Sequence, residues 1–382
     1  MEKSYNKVVT KRGQNVIKQI CIMIKPASSL CNMRCKYCFY ADVSNLRQIH
    51  SFGVMQPATT QKMLENIYCD LQPGDHITFA FQGGEPTLAG LDYFRNFVSQ
   101  AAKQDRRVQV SYALQTNAIL LDEAWCSFLE ENHFLVGISL DMAAVYHDAN
   151  RVDAQGKGTY NRVIAAKRML EQYRVDYNVL AVLTSELARH PTQVWNYLLK
   201  EQIHYVQFIH CLDDLQESGA PYALTPKRFA EFYKGLFPLW KRAYENGTYI
   251  SIKLFDDIMN LLASGQSTAC GMTGECQHQF IVEADGGVYP CDFYVLDEYK
   301  LGNLTENTLR ELYESRTAAD FIGRPHRKPQ LCADCRFEPI CHGGCKRQQS
   351  AVCCQGKDSY CGYRDFLEAV WPSLAQLANR MR

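Results

Sequence analysis

Between about residues 18 and 210 the chain alternates short apolar runs with amphipathic stretches. The runs ICIMI (20–24), HITFAF (76–81), VQVSYAL (108–114), FLVGISL (134–140), YNVLAVL (177–183) and YVQFI (205–209) are brief and rich in β-branched and aromatic residues, which predicts strands. Residues 60–71, 91–103, 122–131, 160–172 and 192–200, lying between these runs, are predicted as helices. Strands alternating with helices at this spacing imply parallel strands joined by crossovers. Six such units are too few for a closed eight-stranded barrel. The expected fold is therefore α/β, a partial (β/α)6 TIM-like barrel or open sheet with its site at the carboxyl ends of the strands.

After Pro226 the pattern changes. Helices are predicted over 227–246 and 255–264, and FIVEADGGVYP (280–290) sets Asp285-Gly286-Gly287 between two β-prone runs, as in a hairpin. Segments 309–313 and 363–380 read as further helices. The expected division is a barrel domain over 1–225, a helical connection over 226–269, and a cysteine-rich α+β extension over 270–382.

A chain of 382 residues with 47% hydrophobic content has room for one large core and a smaller appended one. Lysine plus arginine (41) balance aspartate plus glutamate (41), so no overall field favours nucleic acid or an anionic membrane surface. The first 20 residues are polar and basic without the apolar core of a signal peptide, and no apolar run approaches the roughly 18 residues that span a bilayer. A cytoplasmic enzyme without nucleic-acid or membrane partners is expected. Against that background 17 cysteines are anomalous, because a reducing compartment removes the use of disulfides. Ligation of metal or clusters is the better reading.

Three cysteines, Cys31-x3-Cys35-x2-Cys38, follow the first strand directly. A [4Fe–4S] cluster ordinarily takes four thiolates, so three leave one iron open to an outside ligand. The other reading is a zinc site completed by a distant histidine. Eight more cysteines, Cys270, Cys276, Cys291, Cys332, Cys335, Cys341, Cys345 and Cys361, suffice for two four-cysteine sites, and CxxC spacing suits zinc as well as iron–sulfur clusters.

The Cys31 loop, with Tyr37 before its last cysteine, and the following Gly83-Gly84-Glu85-Pro86-Thr87 resemble the signatures of the radical S-adenosylmethionine superfamily. The resemblance implies a cluster on Cys31, Cys35 and Cys38, and S-adenosylmethionine held by Tyr37, the Gly84 backbone, Ser139, Arg151 and the backbone of Leu212. The later cysteines resemble the SPASM extension. This implies two auxiliary [4Fe–4S] clusters, one on Cys270, Cys276, Cys291 and Cys345, the other on Cys332, Cys335, Cys341 and Cys361. Cys353 and Cys354 compete for the last place, and the residues after Cys361 favour Cys361.

IKPASSLCNMRCKYCFY (24–40), FAFQGGEPTLAG (79–90), LQTN (114–117), FLVGISLD (134–141), QFIHCLD (207–213) and YPCDFYVLD (289–297) narrow the resemblance to the anaerobic sulfatase-maturating enzymes. Such enzymes oxidise a cysteine or serine in a Cys/Ser-x-Pro-x-Arg motif to Cα-formylglycine. The resemblance implies Asp292 as general base, Gln82 and Tyr40 on the substrate side, an unfolded or nascent sulfatase polypeptide as substrate, and an electron donor such as flavodoxin or ferredoxin. Two positions depart from the family's usual glycines, Ala118 after Gln115-Thr116-Asn117 and Met142 after Asp141. The competing readings are a radical maturase that cross-links or epimerises a ribosomal peptide, and a non-enzymatic iron–sulfur or zinc scaffold. Only about 17 residues precede the first predicted strand, which disfavours the peptide maturase because such enzymes commonly carry an N-terminal peptide-recognition domain.

Overall fold

The computed structural model describes residues 8–11, 14–17, 19–104, 107–265, 269–325, 328–355 and 360–379. Two short strands, β1 (Val8–Lys11) and β2 (Gln14–Ile17), pair antiparallel in a segment where the sequence suggested none. The six predicted strands follow as β3 (Gln19–Ile24), β4 (His76–Phe81), β5 (Gln109–Thr116), β6 (Leu135–Ser139), β7 (Tyr177–Leu183) and β8 (Tyr205–His210). They lie side by side in chain order and all parallel.

Strands covered on both faces read as nearly continuous apolar runs. Phe79 and Phe81 of β4 show the packing beneath them: their rings meet Phe97 at 5.0 and 4.9 Å, edge to face, and Phe94 meets Phe81 at 4.9 Å. The crossover helices expose one side and bury the other, as in Leu91–Ala101, whose Phe94, Phe97 and Ala101 face the sheet. Asp122 caps the helix Glu123–Glu131 by accepting from the Trp125 amide. Two seven-residue helices, Phe39–Asn45 and Ala144–Asn150, are too short for the periodicity to reveal.

The sheet is wider than the six predicted strands. A two-residue strand, β9 (Ser251–Ile252), adds beside β8, and the predicted hairpin, β10 (Phe280–Val282) and β11 (Gly287–Tyr289), adds beside β3. β10 runs parallel to β3 in the register Phe280↔Ile22, Ile281↔Met23, Val282↔Ile24. With β12 (Gly302–Asn303) the order is β12-β11-β10-β3-β4-β5-β6-β7-β8-β9. The cysteine-rich extension thus continues the barrel's own sheet.

On the other side, the helix Pro226–Glu245, started by Thr225 and Pro226, packs against the C-terminal helix Gly362–Asn379. Phe366 lies 5.5 Å from Tyr233 and 5.9 Å from Phe229, ring to ring, and Lys234 pairs with Asp365 at 2.8 Å. Gly362 abuts the Pro226 carbonyl so closely that a Cβ would collide with it. That contact fixes Cys361 at the helix start. Among the described residues, no helix is long and apolar enough to cross a membrane.

Candidate active site

The loop carrying the first three cysteines leaves β3 at its carboxyl end and is sewn to the neighbouring crossover. Arg34 and Lys36 amides donate to the Val152 and Asn150 carbonyls at 2.8 and 3.1 Å. Cys31 and Cys35 are half-buried and Cys38 is exposed. Burial pushes the Cys31 thiol up to about 11, a shift the Met33 amide opposes, and pushes Cys35 up to about 12, with Arg151 opposing. Negative charge on Cys38 raises both, so the three sulfurs share one electrostatic neighbourhood. A ligated metal centre must displace these protons.

The Gly83-Gly84-Glu85 segment closes over this loop. Gly84 has φ +52°, and a Cβ there would lie 2.6 Å from the Ser28 carbonyl and nearer still to that of Leu30. Glycine is needed for the close approach of two backbones. Glu85, fully buried, receives Thr87, Thr116 and the Asn117 amide, at 2.6, 2.7 and 2.7 Å, and its own amide donates to Leu30. Burial raises its carboxyl, and the hydrogen bonds it accepts from the Thr87 hydroxyl and amide, the Asn117 amide and Thr116 oppose the shift. It ties β4, β5 and the cysteine loop together, a role the motif alone did not disclose.

Arg151 is buried. Its Nη2 donates to Asp141 Oδ1 at 3.1 Å, its guanidinium lies 5.5 Å from the Tyr37 ring, and Tyr37 donates to the other Asp141 oxygen. Arg151 Nε is buried with no partner among the described residues. An orphaned guanidinium donor beside the cysteine loop suits a carboxylate ligand. Ser139 accepts from Gln115 at 3.2 Å, and Leu212 is buried just past β8. Ala118 and Met142 have φ values of 64° and 59°, so both loops keep the left-handed turn that glycine would take. The strain is of order 1–2 kcal/mol each, and at Met142 the fully buried side chain offsets it.

His147 supports Asp141 from behind. Its Nδ1 accepts from the Asp141 amide at 3.3 Å and its Nε2 meets Thr159 Oγ1 at 3.0 Å. Burial lowers its pKa to about 4, from an unfolded value near 6.5. The neutral ring therefore contributes stability fully above pH 6.5 and loses it as pH falls toward 4, about 3 kcal/mol in all. The expected result is a melting temperature that falls more steeply from pH 7 to 5 in the wild type than in His147→Gln. Parallel slopes contradict this.

The eight later cysteines fall into two groups. Cys270, Cys276, Cys291 and Cys345 line a cavity of about 770 Å³ between the strand ends and the extension. Burial, then the charges of its neighbours Cys345 and Cys276, pushes Cys270 up to about 11. Cys332, Cys335, Cys341 and Cys361 line a smaller pocket together with Cys353. A hydrogen-bonding contact from the free Cys353 thiol, with the amides of Arg364 and Tyr363 at the helix start, lowers the Cys361 thiol although burial opposes it. No three His, Cys, Asp or Glu side chains among the described residues converge as ligands of a single ion.

Asp292 opens a short 3₁₀ turn after Cys291 and lines the larger cavity with Gln82. Lys25 Nζ donates to its Oδ1 at 2.6 Å and Gln82 Nε2 to its Oδ2 at 3.2 Å. The Tyr40 ring covers Lys25 Nζ at 3.9 Å, and its hydroxyl donates to Glu283. Glu283 in turn pairs with Arg47 at 2.5 Å, both side chains fully buried. Lys25, Arg47 and Glu283 were not anticipated from the sequence. The only available signal was their charge inside otherwise apolar surroundings.

Residues 26–187 match the radical SAM superfamily and residues 270–336 match SPASM, an iron–sulfur cluster-binding domain. The chain is 39% identical over 371 residues to the cysteine-type anaerobic sulfatase-maturating enzyme of Clostridium perfringens, covering 94% of this chain and 99% of that one. With the serine-type enzyme of Bacteroides thetaiotaomicron the identity is 27% over 376 residues, covering 93% and 90%. The solved structure of native anSMEcpe with bound AdoMet and Kp18Cys peptide is similar at a TM-score of 0.87 and 38% identity, covering 95% of this chain and 99% of that one. Similarity at this level covers both barrel and extension, and the chain belongs to the anaerobic sulfatase-maturating enzymes of the radical SAM superfamily.

Proposed function

We propose that the chain oxidises the cysteine of a sulfatase Cys-x-Pro-x-Arg motif to Cα-formylglycine, with Asp292 as the base. The observation that carries this is a carboxylate held by Lys25 and Gln82 on the wall of a cavity of about 770 Å³ that also takes in Cys270, Cys276, Cys291 and Cys345. Cysteine is preferred to serine as target because the chain is 39% identical to a cysteine-type relative and 27% to a serine-type one.

When bound, S-adenosylmethionine and the clusters supply a 5′-deoxyadenosyl radical and a sink for one electron. Cys31, Cys35 and Cys38 hold the first cluster and leave one position for the cofactor. Arg151, through its orphaned Nε, with Ser139, Tyr37, the Gly84 backbone and Leu212, binds the cofactor itself. Gln82 and Tyr40 border the substrate. The target residue gives up one Cβ hydrogen, its thiol proton and one electron to become a thioaldehyde, and water then replaces the sulfur as hydrogen sulfide is released. Asp292 takes the thiol proton. Cys270, Cys276, Cys291 and Cys345, and Cys332, Cys335, Cys341 and Cys361, would hold the two auxiliary clusters, which would supply the acceptor for that electron. A flavodoxin or ferredoxin would supply the first electron to the cluster on Cys31, Cys35 and Cys38, and the substrate is a sulfatase chain not yet folded, in the cytoplasm. The functional division is a barrel over 1–225, a connection over 226–269 and the cluster extension over 270–382.

Anaerobic incubation of the reconstituted protein with S-adenosylmethionine, a reductant and peptides bearing Cys-x-Pro-x-Arg or Ser-x-Pro-x-Arg tests this. The expected products are an aldehyde, faster from the cysteine peptide, and 5′-deoxyadenosine. Cofactor cleavage with no aldehyde from either peptide overturns the reading.

A further inference from the structure

Lys25 is a lysine with no solvent exposure whose ammonium points into the reaction cavity's wall. It ends no helix, meets no surface, and is the first residue after β3. Its amide donates to the Val282 carbonyl at 2.8 Å, extending the β10–β3 ladder by one step. On the other side, Ile24 and Phe81 are register partners, so Lys25 and Gln82 are the next residues of two adjacent parallel strands. Each sends one donor to a different oxygen of Asp292, at 2.6 and 3.2 Å. The ammonium is confined by the Tyr40 ring at 3.9 Å and by Gly83, where a Cβ would come within 2.6 Å of Nζ. Gly83 also has φ +101°, so both its backbone and the lysine beside it call for glycine. Gly84 is glycine for the sake of the cysteine loop.

We propose that Lys25 is the positioning residue of the catalytic base, acting through Asp292 and not on the substrate. The last side-chain torsion of an aspartate is soft. Two donors on separate strands remove that freedom, and each oxygen keeps a lone pair for the substrate proton. Lys25 and Asp292 are 267 residues apart, so the base takes its aim only when the extension's hairpin has joined the edge of the barrel. This inference rests on Asp292 being the base.

The test compares wild type, Lys25→Met, Asp292→Asn and the double variant, each reconstituted with iron. It reads kcat and KM for a Cys-x-Pro-x-Arg peptide, and 5′-deoxyadenosine released per aldehyde formed. Misaiming a reacting group by about 1 Å costs roughly 10²-fold. Lys25→Met should therefore lose about that factor in aldehyde kcat with peptide KM little changed, and release more 5′-deoxyadenosine per aldehyde. The double variant should be no slower than Asp292→Asn, because both act on one step. If Lys25→Met does not retain roughly twelve irons per chain, Lys25→Gln, which keeps a donor of similar length, takes its place and should show a smaller loss of the same kind. Wild-type coupling in the lysine variant beside an impaired Asp292→Asn overturns the positioning role alone, as does a double variant slower than either single. Wild-type aldehyde formation in Asp292→Asn removes the base, and this proposal with it.

Discussion

Asp292→Asn is expected to lower aldehyde formation by a factor of about 10²–10⁴, the range over which a positioned general base acts, while 5′-deoxyadenosine still appears. The substitution is nearly isosteric and keeps an oxygen that can accept from Lys25, 2.6 Å away in the wild type. The amide has no affinity for the thiol proton. Cofactor cleavage precedes any demand for that proton, so cleavage and oxidation should separate. Mass spectrometry of the peptide and chromatography of the nucleoside measure the two on one sample. Equal suppression of both would falsify the assignment, since it would place Asp292 upstream of the radical.

The second large effect concerns stability. Glu283 and Arg47 are a buried pair whose side chains have 0% exposure on both sides, and Tyr40 adds a second hydrogen bond to the same carboxylate. Removing one partner leaves an uncompensated charge in the interior, at a cost of about 3–5 kcal/mol. Glu283→Ala should therefore lower the melting temperature of the reconstituted protein by several degrees or prevent its isolation. Arg47→Met/Glu283→Leu, which removes both charges and keeps the volume, should recover much of the loss. If the alanine variant melts with the wild type, the pair carries no such weight.

What could be read from the sequence follows from the range of the interactions involved. Interior parallel strands are apolar on both faces, so YNVLAVL and HITFAF stand out, and their observed bounds coincide with the predicted ones. The cysteine sets were legible because ligand spacing within a loop is local information. Lys25 was not. Between Ile24 and Pro26 it resembles any basic residue after a strand, and its meaning comes from a carboxylate far along the chain. Glu85 was visible as part of a glycine-rich motif but not as the acceptor that joins two strand ends, for the same reason. The hairpin at 280–290 was foreseen, but not the edge on which it docks. Backbone pairing leaves almost no trace in side-chain pattern when strands have only three residues. Ala118 and Met142 were read as departures from glycine, yet their turns persist.

The parallel pairing of β10 with β3 also bears on synthesis. β3 is complete once Ile24 has been made, but the partner for its outer edge begins at Phe280. Throughout the intervening translation a barrel that folds early would present an unpaired strand, the kind of edge on which chains associate wrongly. The strand that covers this edge also leads, through Glu283, to Cys291 and Asp292. A chain that has not yet hidden its sticky edge therefore has no base to offer, and completion of the sheet and competence for the reaction arrive together.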